Sequence, residues 1–476
     1  MGTFGPTIQD YNRVLAAIRA AGFRVTSTSR NRSIIELLGS ADVVNAFFKT
    51  QMHLARQDRF GLRYFNSVAE TIPAAISDVT LAVVGLSNVQ VLHTDNTGLL
   101  APRGLRNVPP SGTGIQTALG GVAALTGPTF GPNGYGLGPA AIALSYNMPV
   151  QQGIVGQNIG TGVVIDADFL NSDLNAYLAY FKITRTRGIT RFEVDGGAQF
   201  NGNPNSDSVE ASLDVETIAG LASGSPIFVY LIPSLANNYV IDAYNRAVED
   251  NASQMTNSSF GGCEDQLGQS FDFAVSSIAD QGDVKGLGFA ASSGDNGYFG
   301  CPGGTHHIQA PADGAFFTAV GGTSAATATR AQTYYANQSA WSGSGGGTSV
   351  YFVRQFYEQN VDPSAYRAIP DISFAADPDY ADSGKYGASI LFNGAWATTG
   401  GTSWASPIFT AYQAQLTQFN GYRRGFADPA LYNYYRAVGY KGCIEDITTG
   451  SNGTPAIPGY DEATGLGSMH GSCPSL

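Results

Sequence analysis

Gly400-Gly401-Thr402-Ser403-Trp404-Ala405-Ser406-Pro407 leads without interruption into a stretch from Ile408 to Leu416 whose apolar residues recur at helical spacing. This reads as a tight turn feeding a helix, with Ser403 at the helix N-terminus. The glycines allow close approach of backbone and substrate, Pro407 is tolerated in a first helical turn, and the helix end favours negative charge developing nearby. Upstream, the short apolar runs Gly162–Ile165, Ile227–Ile232 and Leu287–Ala291 alternate with helix-like stretches. That is the pattern of a parallel sheet covered by helices on both faces, so the main fold is expected to be α/β. A serine at this place is also an ordinary N-cap, and chemistry requires partners elsewhere in the chain.

The octapeptide resembles the nucleophile segment of the subtilisin superfamily, in which a histidine serves as base. The chain has only His53, His93, His306, His307 and His470, and none stands in the His-Gly-Thr helix start that subtilisins use. A carboxyl pair is the alternative. In Glu210-Ala211-Ser212-Leu213-Asp214-Val215-Glu216-Thr217-Ile218, Glu210 and Asp214 are four residues apart on an expected helix, and Leu221 lies on nearly the same stripe, which turns that face inward. Two neighbouring carboxylates facing a core repel if both ionise, so one pKa rises and a proton is shared. A carboxylate base, with an ordinary pKa near 4, serves a serine in acid, where a histidine is protonated. Alone, such a pair reads as a solvated helix face. A third element, Ser292-Ser293-Gly294-Asp295-Asn296-Gly297, follows the run Leu287–Ala291 and so falls at a strand end. A protonated Asp295 could donate to an oxyanion there; in isolation the segment is a turn.

Taken in order, Glu-x-x-x-Asp, Ser-Ser-Gly-Asp and Gly-Thr-Ser resemble the sedolisin family of serine-carboxyl peptidases, whose fold is subtilisin-like. The resemblance implies Ser403 as nucleophile, Glu210 as general base and acid, Asp214 as its orienting partner and Asp295 as oxyanion stabiliser. Phe317-Thr318-Ala319-Val320-Gly321-Gly322-Thr323, Trp341-Ser342-Gly343-Ser344-Gly345-Gly346-Gly347 and Pro370-Asp371 extend it from about Gly138 onward. Asp446-Ile447-Thr448 and Gly459-Tyr460-Asp461-Glu462-Ala463-Thr464-Gly465-Leu466-Gly467 are similar to the family's calcium site. It implies one Ca²⁺ held by the carboxylates of Asp446 and Asp461 and the carbonyls of Ile447, Ile457 and Gly459, hard oxygen ligands that suit the ion. The family usually has glycine where Ile457 stands, which a carbonyl ligand tolerates. The outer neighbourhood of the triad holds Asp166 or Asp168 and Phe260 where relatives often carry a further acid and a tryptophan.

The segment Thr7–Gly22 reads as an amphipathic helix, Phe23–Ser27 and Ser33–Leu38 as strands, and Ala41–Phe48 as a second helix. This small α+β unit resembles the later part of the sedolisin propeptide, ferredoxin-like and beginning late relative to the family. The expected organisation is a propeptide domain 1–96, an exposed linker 97–137 rich in Gly, Pro, Ala and Thr, and a catalytic domain 138–476 with the calcium site at its end. Self-cleavage is expected within the linker, between about Pro109 and Gly134.

Composition bounds the rest. With 43% hydrophobic residues, 13% charged residues and 60 glycines the chain is folded and rich in turns. A net charge of -12 argues against nucleic acid or an anionic membrane as partner, and no apolar run approaches bilayer length. Four cysteines without zinc-site spacing suggest two disulfides, Cys263–Cys301 and Cys443–Cys473 closing the shorter loops, among three possible connectivities. Disulfides would imply an oxidising, extracellular compartment. The reading is therefore a secreted, monomeric, acid-active endopeptidase that takes polypeptide substrates and is inhibited by its own propeptide. Tripeptidyl-peptidase specificity and an inactive subtilisin-fold binding protein are the alternatives. A pepsin-like enzyme would need two Asp-Thr/Ser-Gly loops, and only Asp382-Ser383-Gly384 qualifies.

Overall fold

The computed structural model describes residues 5–54, 62–89, 91–100, 125, 127–301, 308–325, 338–379, 384–471 and 473. The three apolar runs form the strands Thr161–Ile165, Ile227–Leu231 and Gly288–Ser292. Among the described residues they belong to an eight-stranded sheet ordered 338–340, 317–325, 288–292, 255–258, 161–165, 227–231, 189–193, with 372–375 also paired to 317–325. All pairings are parallel except that of Gln338–Ala340 with Phe317–Ala325.

Side chains alternate across this sheet, and both faces are covered. Val163 and Ile165 enter the core beneath the helices Ser208–Leu221 and Thr402–Asn420, whereas Val164 enters the core beneath Asn237–Asp250 and Gln269–Asp283. This is why the strands are apolar at every position rather than at every second one. Each such buried side chain contributes about 1.5–3 kcal/mol. Ser208–Leu221 is buried along its whole length, not on one stripe, because it lies between the sheet and its neighbours and packs alongside Thr402–Asn420. Asp371, of the Pro370-Asp371 pair, is structural: its carboxylate accepts from Ala319 N (2.7 Å) and from both terminal nitrogens of the fully buried Arg367 (2.9 and 2.7 Å).

The N-terminal unit has helices Ile8–Ala20, capped by Thr7, and Ala41–Phe48, capped by Ser40. They pack through Leu15, Ile18, Phe23 and Phe48. Among the described residues, Arg24–Thr28 pairs with Ile35–Leu38 and Met52–Leu54 with Tyr64–Asn66, in two antiparallel ribbons that complete the small α+β unit. The unit rests on the helices 237–250 and 269–283. There Arg30 pairs with Glu249 (3.0 Å) and Asp250 (3.2 Å), Asn31 donates to Asn245 (2.6 Å) and Ser33 to Gln281 (2.7 Å).

Most of the linker, and the span anticipated for self-cleavage up to residue 124, lies outside the described residues, as do His306, His307, Asp382 and Ser383. The end of that stretch is not an exposed linker. Leu137 is buried, and Gly136 N and Leu137 N donate to the Lys385 and Gly387 carbonyls, so residues near 137 are built into the catalytic unit. Cys263 and Cys301 form the expected disulfide. Cys443 and Cys473 do not: both are buried free thiols, and the Cys473 sulfur turns to the His470 carbonyl (3.2 Å).

Candidate active site

The helix Thr402–Asn420 begins after Gly401, whose φ of 106° is a left-handed conformation that favours glycine. A Cβ there would lie 2.2 Å from Asp295 Oδ2 and 2.3 Å from the Asp95 carbonyl oxygen, so the turn admits both atoms only because residue 401 has no side chain. Ser403 follows, fully buried, with its N–H donating to the Asp95 carbonyl (3.3 Å) and its hydroxyl donating to the Ser259 carbonyl (3.3 Å).

Glu210 stands in the first turn of its helix, and its carboxyl lies against the side chains of Ser403 and Asn96, both of which pull its pKa down. Neither makes a well-aligned hydrogen bond with it in this ground state, as is common before a substrate tightens a site. Burial first, and the charge of Asp214 second, still hold Glu210 well above its ordinary value. Asp214, one helical turn on, accepts from Ser259 Oγ (2.6 Å), which itself accepts from Asn257 Nδ2 (2.9 Å). Burial pushes Asp214 up to about 8. The two carboxyls therefore hold a proton between them over a wide pH range.

Asp295 closes the site from the end of the strand Gly288–Ser292. Its Oδ1 accepts from Thr402 N (2.7 Å) and Thr402 Oγ1 (2.9 Å), while Oδ2 is buried without such a partner. Burial and the charge of Asp95 raise its pKa well above the ordinary value. Since Oδ1 is already an acceptor twice, the proton belongs on Oδ2, beside the Asp95 carbonyl oxygen.

The structure thus brings together all four residues expected to be catalytic. Asn96, Ser259, Asn257 and Thr402 were not anticipated. Thr402 adjoins Ser403 in the motif, but no local pattern marks the other three, of which Asn257 and Ser259 come from one strand end and Asn96 from the segment that crosses the site. Of the outer residues, Asp166 is half-buried and pushed up to about 7 by desolvation and Asp207, whereas Asp168 is ion-paired with Arg191 (2.6 Å). Phe260 is buried on the strand Phe260–Cys263.

That strand pairs antiparallel with His93–Thr94, so the segment between the N-terminal unit and the catalytic unit crosses the site as a third party. Asp95 N donates to the Ser259 carbonyl (3.2 Å), Thr97 N to the Gly400 carbonyl (3.3 Å), and Leu100 exchanges hydrogen bonds with Thr398 (2.7 and 2.9 Å).

At the C-terminal end the loop 457–459 draws the expected calcium ligands together. Gly459 N donates to Asp446 Oδ2 (3.1 Å) and Ile457 N to Asp461 Oδ2 (2.9 Å). Asp461 Oδ1 also accepts from Ala463 N (3.0 Å), Thr464 N (2.8 Å) and Thr464 Oγ1 (3.1 Å); burial raises both carboxyls, and among the described residues no N–H donates to the carbonyls of Ile447, Ile457 or Gly459. A half-buried Asp446 and a buried Asp461, tied to the loop that carries these carbonyls, supply oxygen ligands of the kind a hard cation takes.

Raised carboxyls extend beyond the site. Asp272 and Asp313, buried with Glu264 so that their carboxyl oxygens lie within 4.8 Å of one another, are held well above their ordinary values by burial and mutual repulsion. Asp242, beside Asp195 and Glu36 of the N-terminal unit, is pushed up to about 8. The sign follows from linkage. A carboxyl whose folded pKa exceeds its unfolded value near 4 stabilises the fold fully below that value, and this contribution is lost as pH rises toward the folded pKa, at about 1.4 kcal/mol per pH unit and group. The melting temperature should accordingly be at least about 5 °C higher at pH 4.5 than at pH 8. A scanning-calorimetry profile rising toward neutral pH would contradict this.

A parallel sheet with a serine at this helix start and a carboxyl pair beside it defines the class of serine-type peptidases. Comparison with known proteins agrees. Residues 1–89 match the pro-kumamolisin activation domain and residues 196–438 the subtilase family. Xanthomonalisin of Xanthomonas sp. (strain T-22) is 29% identical, over 98% of this chain and 59% of its own length. Sedolisin of Pseudomonas sp. (strain 101) is 28% identical, over 98% of this chain and 79% of its own. The solved structure of Pseudomonas sedolisin, a serine-carboxyl proteinase complexed with two molecules of pseudo-iodotyrostatin, superposes with a TM-score of 0.61 at 26% identity, covering 70% of this chain and 95% of that one. Proteins named tripeptidyl-peptidase also match, at 25% to 26% identity. The chain belongs to the subtilase family, as a sedolisin-like member preceded by a pro-kumamolisin activation domain.

Proposed function

We propose that this protein is an acid-active endopeptidase, made as a self-processing precursor and exported to an oxidising, acidic medium. The observation that carries the reading is the buried contact of Ser403, Glu210 and Asp214, with no histidine among the described partners of the serine. As the Ser403 oxygen attacks a peptide carbonyl, Glu210 takes its proton. The oxyanion is received by Asp295 Oδ2–H and Ser403 N–H. Glu210 then gives the proton to the departing nitrogen, and water releases the acyl group by the same route in reverse. Asp214, fixed by Ser259, keeps Glu210 oriented and shares its charge. A protonated Asp295 and a carboxyl base both suit acid, and the Cys263–Cys301 disulfide supports an oxidising medium.

Incubating the chain with an unfolded protein at about pH 4 should yield internal fragments, and far fewer at about pH 7.5. Release of tripeptides alone from the substrate N-terminus would favour the exopeptidase reading. Against that stands the path of the crossing segment, which continues beyond Asp95, Thr94 and His93 into the buried Leu92, so the cleft accepts chain past the third residue. Absence of Ser403-dependent fragments at any pH would overturn the proposal.

Asp446 and Asp461, with the carbonyls of Ile447, Ile457 and Gly459, would hold one calcium ion, which would tie the C-terminal loops together and take no part in the chemistry. Chelation at about pH 6 should lower the melting temperature by about 5 °C, as loss of a ligand bound only by the folded state does. Added calcium should restore it, and Asp461→Asn should be insensitive to both.

A further inference from the structure

We infer that the bond the precursor cuts in itself is Asp95–Asn96, and that the pocket receiving Asp95 makes the enzyme selective for an acidic residue on the acyl side of the scissile bond. The inference rests on the peptidase reading and adds to it the bond and the substrate class. Three features converge on this one peptide group.

The register is pinned on both sides of it, by Thr94 paired with Phe260 and His93 with Gly261 upstream, and by Thr97 N on the Gly400 carbonyl and Leu100 paired with Thr398 downstream. Within that frame the Asp95 carbonyl oxygen is the one presented to both oxyanion donors: Ser403 N–H lies 3.3 Å away, and the same vacant Cβ position of Gly401 abuts this oxygen and Asp295 Oδ2. On the departing side, the Asn96 side chain lies against Glu210, the group that must protonate the leaving nitrogen. The balance is that of hydrolysis. The Ser403 oxygen bonds to the Asp95 carbonyl carbon, the bond to Asn96 N breaks with the serine proton passing through Glu210 to that nitrogen, and water then returns the serine and leaves a free Asp95 carboxyl.

The Asp95 side chain is buried, with two neutral donors at its oxygens. Ser292 Oγ donates to Oδ2 (2.8 Å), and Gln309, with its amide nitrogen facing the carboxyl, lies 3.2 Å from both oxygens; His93 Nδ1 is 3.5 Å from Oδ1. Gly261 and Gly294 leave the space that Gln309 occupies, since a Cβ at either would lie within 3 Å of its amide. Two hydrogen-bond donors at the floor match a carboxyl and leave an alkyl side chain with nothing to bind, and discrimination by unpaired polar groups is steep.

The test uses the full chain, purified at neutral pH, shifted to about pH 4 and followed by intact mass and N-terminal sequencing. A new N-terminus at Asn96 is expected, absent in Ser403→Ala, and Asp95→Lys should slow its appearance at least about tenfold. A peptide of residues 91–100 added to the processed enzyme should be cut between Asp95 and Asn96. Gln309→Leu should lower the ratio of kcat/KM for aspartate over leucine peptides at least about tenfold. If the enzyme digests unfolded protein but leaves 95–96 intact in both precursor and peptide, or cuts Asp95→Lys there equally fast, this inference fails and the peptidase reading stands. Loss of all Ser403-dependent hydrolysis would instead remove the reading beneath it.

Discussion

Ser403→Ala should lower kcat/KM for internal peptide bonds at about pH 4 by at least about 10⁴-fold, because it removes the oxygen on which the acyl group is carried. The fold should survive. Ser403 Oγ makes one hydrogen bond, at 3.3 Å to the Ser259 carbonyl, and the helix start is held by Asp295 on Thr402 and by Gly401, neither of which changes. A melting temperature within about 2 °C of the parent, with the activity gone, separates chemistry from stability. A variant that still turned over would mean that the helix start is only a shared piece of fold.

Glu210→Gln should cost nearly as much, about 10³-fold or more, by leaving the serine without an acceptor for its proton. It carries a second readout that a merely structural carboxyl would not give in the same variant. In the parent, burial and Asp214 raise Glu210, so ionising it as pH rises destabilises the fold. Glutamine does not ionise, so the difference in melting temperature between pH 4.5 and pH 8 should shrink together with the activity. Glu210→Asp keeps a carboxyl one methylene short and should recover part of the rate. Full activity in Glu210→Gln would assign the base elsewhere.

The expectations about the site rest on short segments whose local meaning is weak and whose order is strong. Ser403 can be placed because a glycine pair, a serine and an apolar helix are contiguous, and Glu210 with Asp214 because four-residue spacing puts them on one helix face. Asn96, Ser259 and Gln309 carry no such mark: each acts through neighbours far away in the chain, and nothing in their own surroundings in sequence shows it. The second disulfide follows from pairing economy, and it depends on a distance that spacing does not define.

What the amino-acid sequence determined alone is local and periodic: strands apolar on both faces, helices with their caps, and the turn at Gly401 that only glycine can take. Tertiary structure decided which carbonyl lies between Asp295 and Ser403, which carboxyls lose their solvent, and which thiols meet. Those outcomes depend on packing between elements distant in the chain, where burial and exclusion of water, and not chain propensity, set both geometry and charge.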